Sequence, residues 1–455
     1  MDYYKVTPRV VPADKVSEIR IEPMFEHAEF YSDPGRIEIA CRPYDGLLED
    51  GSYQGYGWGP VPENMQVKDW RFDGKAIVFR FRFAGEQEYN VMIFEKDENG
   101  NTKRMRRAHL YSVKEDLYAL RPFRGNFHIH STSSDGREEP RYVAARFRQM
   151  GMDFCAISDH GNYDPSIVAM NYWKDINPDY KLYPGEEVHA PGNPVHIIHF
   201  GGRYSINSLS RGENEEKYTV EVKEREAALN DVAPGVNAFA VAASEWVFDE
   251  IRKAGGLCVF CHPYWFTEQY VIDEGLTTEI FKRRKFDAFE VLGGHHKTQS
   301  QSNNHQIVRY YEECAKGGSF PVVGLDDSHG TDRFEIDENR VGSMTRDLAG
   351  WYSTLVFSPS DSAEDLIRSI RSGYSAAVEK IAGESLRVYS SFRLTKYATF
   401  LMRWYFPMHD VLCADEGALM LRVLAGEEGA RKALNALLGS VEAYRGGAFR
   451  NTSAE

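Results

Sequence analysis

The chain has 455 residues, which at roughly 150 residues per domain suggests about three domains, or one large barrel with appendages. Its formal net charge of −14 argues against a broad electrostatic footprint for duplex DNA or an anionic membrane surface, while leaving room for a small basic cleft. Histidine is unevenly spread: 11 of the 14 fall between His128 and His329, and chemistry is expected there.

The N-terminus, Met1-Asp2-Tyr3-Tyr4-Lys5, places an acid before the first base and lacks an apolar core, so it reads as neither a signal nor a transit peptide. No apolar run approaches the roughly 18 residues of a spanning helix. Six cysteines, Cys41, Cys155, Cys258, Cys261, Cys314 and Cys413, are too sparse for a disulfide scaffold. A reduced cytoplasmic setting is the expectation.

Residues 1–123 carry short runs with two-residue alternation, at Arg36 to Ala40, Ala76 to Phe83 and Tyr89 to Phe94. Turn clusters at Asp73-Gly74, Gly85 and Asn99-Gly100-Asn101 separate them. This pattern predicts an antiparallel β-sandwich. Its aromatics, for example Tyr53, Tyr56 and Trp58, suit either a partner-binding surface or sandwich core.

From 124 to 383 strands alternate with helices. Strands are predicted at Asn126 to His130, Phe154 to Ser158, Tyr183 to Val188, Val195 to Phe200, Leu257 to Cys261, Ala288 to Leu292 and Val322 to Leu325. Helices are predicted at Pro140 to Met150, Ala243 to Lys253, Asn304 to Lys316 and Ala363 to Arg371, mostly followed by glycine as a C-terminal cap. Alternation of this kind implies parallel strands with crossover helices, either as a barrel or as a doubly wound sheet. Chemistry in both collects at the C-terminal ends of the strands. A charged insertion around 203–236 reads as an exposed helix near the site entrance. Residues 384–455 read as a helical extension, with Leu394 to Phe406 and Glu428 to Val441 as its helices.

The histidines resolve into motifs at strand ends. In Asn126-Phe127-His128-Ile129-His130 two imidazoles lie two apart, so a strand turns both to one face, where they can share a metal. Asp135 follows past the turn Ser131-Thr132-Ser133-Ser134. A second apolar strand ends in Asp159-His160-Gly161. The same grammar recurs at Gly185-Glu186-Glu187, Val195-His196-Ile197-Ile198-His199, Phe260-Cys261-His262-Pro263 and Gly324-Leu325-Asp326-Asp327-Ser328-His329-Gly330. Independent structural histidines would not favour strand ends so consistently.

This ordered set resembles the PHP (polymerase and histidinol phosphatase) family of metal-dependent phosphoesterases. The matching pieces span about 200 of the 455 residues. The resemblance implies a distorted (β/α)7 barrel holding two or three divalent ions, zinc, manganese or iron. The ligands it implies are His128, His130, Asp135, His160, Glu187, His196, His262, Asp327 and His329. Glu187 is favoured over Glu186, and Asp327 over Asp326, because the family spacings are Gly-x-Glu and Asp-x-His. His196 and His199 face opposite sides of a regular strand, so only one is a ligand; His196 is favoured, leaving His199 as a wall or orienting residue. Asp159 takes a similar supporting role beside His160.

Mixed imidazole and carboxylate donors suit zinc, manganese or iron better than magnesium or calcium. The expected reaction is in-line attack of metal-bound hydroxide on phosphorus, with no nucleophilic side chain. An arginine often follows the His-Pro motif in the family, but Tyr264-Trp265-Phe266 stands here. Those aromatics suit either stacking on a base or sugar or simple packing. Arg137, Lys297 and Arg333 are the candidate phosphate clamps, and one of His295-His296 is placed to line the pocket. Cys258 and Cys261 point to opposite strand faces and read as inert core. The expected substrate is a phosphate ester of a small metabolite or short nucleotide. The alternatives are a nuclease acting on nucleic acid ends, disfavoured by the charge, and a non-catalytic metal-binding or interaction module. Nucleic acid beyond short oligonucleotides and a membrane are not expected partners.

Overall fold

A computed structural model describes residues 3–55, 61–266, 269–294, 302–331 and 349–449. Tyr56, Trp58, His295, His296, Lys297 and Arg333 lie outside the described residues. The architecture mixes α and β elements over four sheets. Contact density divides the described chain into two units, 3–121 with 396–409 and 439–449, and 122–395 with 410–438.

The first unit contains two four-stranded sheets. One runs Tyr4–Thr7, Val16–Pro23, Ala76–Arg82, Trp70–Asp73, and is antiparallel throughout. The other runs Val10–Pro12, Thr102–Val113, Gln87–Lys96, Ile37–Pro43, with only the Val10–Pro12 pairing parallel. Ile19, Ile21, Ile77 and Phe79 of the first sheet meet Ile39, Val91, Ile93 and Leu110 of the second in one apolar cluster. Alternate residues of each strand supply that cluster, which is the two-residue period expected of sheets buried on one face.

The second unit holds a six-stranded and a five-stranded sheet. The first is ordered Lys181–Leu182, Phe154–Cys155, Arg121–Asn126, Tyr352–Ser358, Ser375–Glu379, Arg387–Tyr389. The second is ordered Gly185–Val188, Ile197–Phe200, Leu257–Phe260, Ala288–Leu292, Val322–Gly324. Isolated parallel bridges, Ile129 to Ser328 and His160 to Glu187, link residues beyond the strand ends of one sheet to the other. Phe127 and Phe154 thereby share an apolar cluster with Ile198, Phe200, Val259, Cys261, Val323 and Leu325. Leu366, Ile367 and Ile370 of the helix Ala363–Arg371 add to this cluster.

Among the described residues the ladders make two sheets and not one ring of seven parallel strands. Ile197–Phe200 is antiparallel to both its neighbours; towards Gly185–Val188 the eight residues 189–196 are too few for a crossover helix, which needs a dozen or more. The strand predicted over Asn126 to His130 is also displaced. Its ladder ends at Asn126, and only the Ile129 bridge continues it.

Helix ends follow local chemistry. Asn237, Asp273 and Ser362 each accept a hydrogen bond from a backbone N–H of the first turn, and Pro140 opens the helix Pro140–Gln149. The helical extension predicted over Glu428 to Val441 is two helices, Ala430–Leu437 and Ser440–Ala448. Gly439, at φ 83°, precedes the second and breaks the run. The insertion contains the helix Glu215–Ala228. No described helix is long and apolar enough to cross a membrane.

Candidate metal centre

The two-residue alternation of the strands decides which chemical groups face one another. Ile198 and Phe200 point into the cluster shared by the two sheets, whereas Ile197 points to the other side. His196 therefore shares the inward side and His199 the outward one. By the same parity Val188 faces outward and Glu187 inward, while Val323 and Leu325 inward put Asp327 rather than Asp326 on the inner side.

Glu187 is the hub. Its carboxylate, fully buried, lies 2.6 Å from His160 Nδ1, 2.8 Å from His196 Nδ1, 3.4 Å from His189 Nε2 and 3.5 Å from His130 Nε2. His128 Nε2 at 3.6 Å and His262 Nε2 at 3.9 Å complete the ring. Asp327 sits 3.1 Å from His128 Nε2, 3.0 Å from His130 Nε2 and 3.8 Å from His262 Nε2. At the more exposed side, Asp135 Oδ1 lies 3.4 Å from His160 Nε2 and 3.2 Å from His329 Nε2. All nine residues expected as ligands are thus brought together.

Two of them stand on unusual backbone. His262 has φ 21° and Asp327 φ 51°, a left-handed region that costs a non-glycine residue on the order of 1–3 kcal/mol. The following Pro263 restricts His262 further. Strain of this kind persists where the surroundings over-determine it, and here it turns two donors inward just past their strands.

Burial and the opposite charges around each group set the electrostatics of the cluster. Burial alone would raise Glu187, but the charges of His196, His160, His189 and His128 hold its carboxyl well below the usual range. Burial pushes His130 and His262 down to about 3. His160 moves oppositely: burial lowers it, yet Glu187 and Asp135 push it up to about 10. Asp135 is lowered by His160 and His329 against its own desolvation. His128 Nε2, His130 Nδ1, His262 Nε2 and both Glu187 oxygens are buried without a hydrogen bond. Close approach without hydrogen-bond geometry, among buried atoms that can each ligate, suits groups arranged to share a cation. Sets of donor atoms within 4.8 Å of one another include His130-Asp135-His160-His329, His128-Glu187-His262 and His128-His130-Asp327. These residues therefore fit divalent ions.

The supporting residues fall elsewhere. Asp159 accepts hydrogen bonds from the Ser131 N–H, the Ser131 hydroxyl and the Ser134 hydroxyl, so it fixes the turn that carries Asp135. His199 is not brought to the centre; its Nδ1 lies 3.1 Å from Glu186 Oε1 on the far side of the strand. Glu186 also accepts from Ser205, Asn207 and the Ile206 N–H. Asp326 accepts from Asn126 and the Gly350 and Tyr352 N–H groups. Arg137 donates its backbone N–H to the His329 carbonyl, and its guanidinium packs over Gly330. Cys258 and Cys261 lie in different apolar clusters, and burial raises both thiols.

Three residues escaped the sequence reading. His189 stands two residues beyond Glu187, and its Nε2 is 2.9 Å from His160 Nδ1; counting by two from Glu187 finds it. Glu290, fully buried, lies 2.7 Å from His128 Nδ1. A lone carboxylate inside Ala288-Phe289-Glu290-Val291-Leu292 was its signal, because buried carboxylates are rare unless paired. Arg211 donates from Nε and Nη2 to the His189 carbonyl at 3.0 and 2.5 Å, and its guanidinium lies against Gly161. Nothing local in the charged insertion distinguishes Arg211 from its neighbours.

No family model matches the chain, and no curated protein matches it. Solved structures do. A two-domain protein from Bacteroides vulgatus, described as containing a predicted PHP-like metal-dependent phosphoesterase, is 16% identical with a TM-score of 0.39, covering 60% of this chain and 76% of that one. A candidate metal-dependent phosphoesterase from Bifidobacterium adolescentis is 20% identical, with a TM-score of 0.30 over 45% of this chain and 87% of that one. An amidohydrolase from Chromobacterium violaceum, with bound sulfate, is 16% identical, with a TM-score of 0.30 and the same coverages. Solved structures similar to this chain thus include PHP-like metal-dependent phosphoesterases, the family its motifs resemble.

Proposed function

We propose that the chain is a metal-dependent phosphoesterase that hydrolyses a phosphate ester of a small metabolite or short nucleotide. The observation that carries this reading is convergence. Nine residues, scattered over 202 positions from His128 to His329, close on one cluster of imidazoles and carboxylates, its inner members buried with orphaned polar atoms. His128, His130, Asp135, His160, Glu187, His196, His262, Asp327 and His329 would hold two or three ions of zinc, manganese or iron. Such ions supply Lewis acidity and bring the pKa of a bound water toward neutrality.

The chain's own residues orient the rest. Asp135, with its side chain 57% exposed, stands where an arriving substrate meets the centre. Asp159 holds its turn through three hydrogen bonds. Arg211, anchored on the His189 carbonyl, takes the phosphate-orienting role that Tyr264-Trp265-Phe266 leaves unfilled after the His-Pro motif. A guanidinium pre-organised in this way loses little entropy on pairing with phosphate oxygens.

The test is elemental analysis of the purified chain, followed by turnover of mono-, di- and cyclic phosphates and short RNA. Bound transition metal with turnover of a small phosphate ester supports the reading. Full activity with no detectable metal would refute it, and turnover confined to RNA would replace the substrate class. Arg211→Ala should raise KM for the preferred ester several-fold while kcat changes less.

A further inference from the structure

The environment of His128 contains more than donors. One ring nitrogen, Nε2, faces Asp327 at 3.1 Å and Glu187 at 3.6 Å. The other, Nδ1, meets Glu290 Oε2 at 2.7 Å, and both side chains are wholly inaccessible to solvent. Glu290 follows the parity of inward-facing Ala288, so its carboxylate enters the space between the sheets.

The fold makes room for it in two independent ways. The pairing of Ala288–Leu292 with Val322–Gly324 slips between Glu290 and Leu292; such irregularities re-aim side chains beside functional sites. Gly293 lies against the Glu290 carboxylate so closely that a Cβ there would collide with Oε1, and its N–H donates to Asn303 Oδ1 at 3.0 Å. A buried carboxylate is costly unless it has a task or a partner, and its other oxygen, Oε1, makes no hydrogen bond.

We infer that Glu290 is a positioning residue, whose carboxylate holds the proton of His128 on Nδ1 and so turns the Nε2 lone pair toward the ions bound by Glu187 and Asp327. Outer carboxylates of this type fix the tautomer and ring plane of a ligating histidine and raise its basicity. This inference rests on the metal centre proposed above and adds a residue outside its ligand set. Burial raises the Cys261 thiol, which shares the His128 and Glu290 neighbourhood.

The experiment uses the full-length chain and its Glu290→Gln and Glu290→Ala variants, stripped and then titrated with zinc against a competing chelator. Glu290→Ala should bind zinc 10- to 100-fold more weakly, the range typical of such partners. Glu290→Gln, whose amide oxygen can still accept from Nδ1–H, should recover part of the loss. Circular dichroism and melting temperature establish that both variants are folded. Two-bond 15N correlations of the zinc-loaded His128 ring give a readout that a packing role would not move: the proton on Nδ1 in the wild type, and a weakened or lost Nδ1–H signal in Glu290→Ala. Folded variants with wild-type zinc affinity and an unchanged tautomer would overturn the inference. Failure of the wild type to bind zinc, manganese or iron would instead overturn the metal centre beneath it.

Discussion

Replacing Glu187 by glutamine keeps the shape of the hub and removes its charge. The carboxylate lies within 4 Å of six imidazoles, and His160 is the closest, at 2.6 Å. In the metal-free chain burial works against the His160 proton, and Glu187 together with Asp135 brings the group from 6.5 up to about 10. An opposite charge at this range is worth about 1–3 units, or roughly 1.4–4 kcal/mol at 1.36 kcal/mol per unit. Asp135 remains 3.4 Å away, so part of the elevation survives. In Glu187→Gln the His160 midpoint should fall by about 1–3 units. Histidine ring carbon and nitrogen shifts, assigned by difference from His160→Asn, would follow the titration. The same substitution takes a negative donor from the ions, and metal affinity should drop by about 100-fold or more, equivalent to roughly 2.7 kcal/mol. A His160 midpoint displaced by less than about half a unit, or wild-type metal content in the variant, would refute the reading of Glu187 as the hub.

Proton linkage gives a second expectation. Because His160 is raised to about 10 in the metal-free chain, an ion must displace its proton at neutral pH. Calorimetry in buffers of different ionisation enthalpy should show proton release on metal uptake, and affinity rising from pH 6.5 toward 10. The stability that His160 gives the metal-free chain has the opposite trend: it is complete below 6.5 and is lost as pH rises through about 10. Asp327→Asn should retain its backbone, since asparagine tolerates φ 51°, yet lose metal and abolish hydrolysis; a folded, metal-replete and active variant would contradict the ligand role, and His130→Ala should behave likewise. Away from the centre, buried Arg148 donates to Glu416 Oε2 from Nε and Nη2 at 2.9 and 2.7 Å, and Asn177 joins them. Arg148→Met strands a buried carboxylate and should cost about 3–5 kcal/mol in denaturant unfolding, with much of the loss recovered by adding Glu416→Gln.

Much of the centre was legible because its residues sit at strand ends in a chain whose alternation is easily counted. The His128-x-His130 pair, His160 after its apolar strand, and the competition between His196 and His199 all reduce to a period of two, and the structure places His196 inward and His199 outward accordingly. Glu290 and His189 obey the same period. The period gives each of them a side and not a partner, and their partners, His128 and His160, lie 162 and 29 residues away.

Sequence by itself determined the inventory: which donors the chain carries, their order, and the alternation that gives each strand two unlike faces. It also determined local punctuation, since Asn237, Asp273 and Ser362 cap helices through their own side chains. The tertiary structure decided everything that depends on distance between remote segments. It reversed Ile197–Phe200 against both neighbours, turned His262 and Asp327 inward on left-handed backbone, fastened Arg211 to His189 and set Glu290 behind His128. Pairing and side-chain period are local properties of a strand, whereas the groups that surround a buried charge are chosen by which strands the packed core brings side by side.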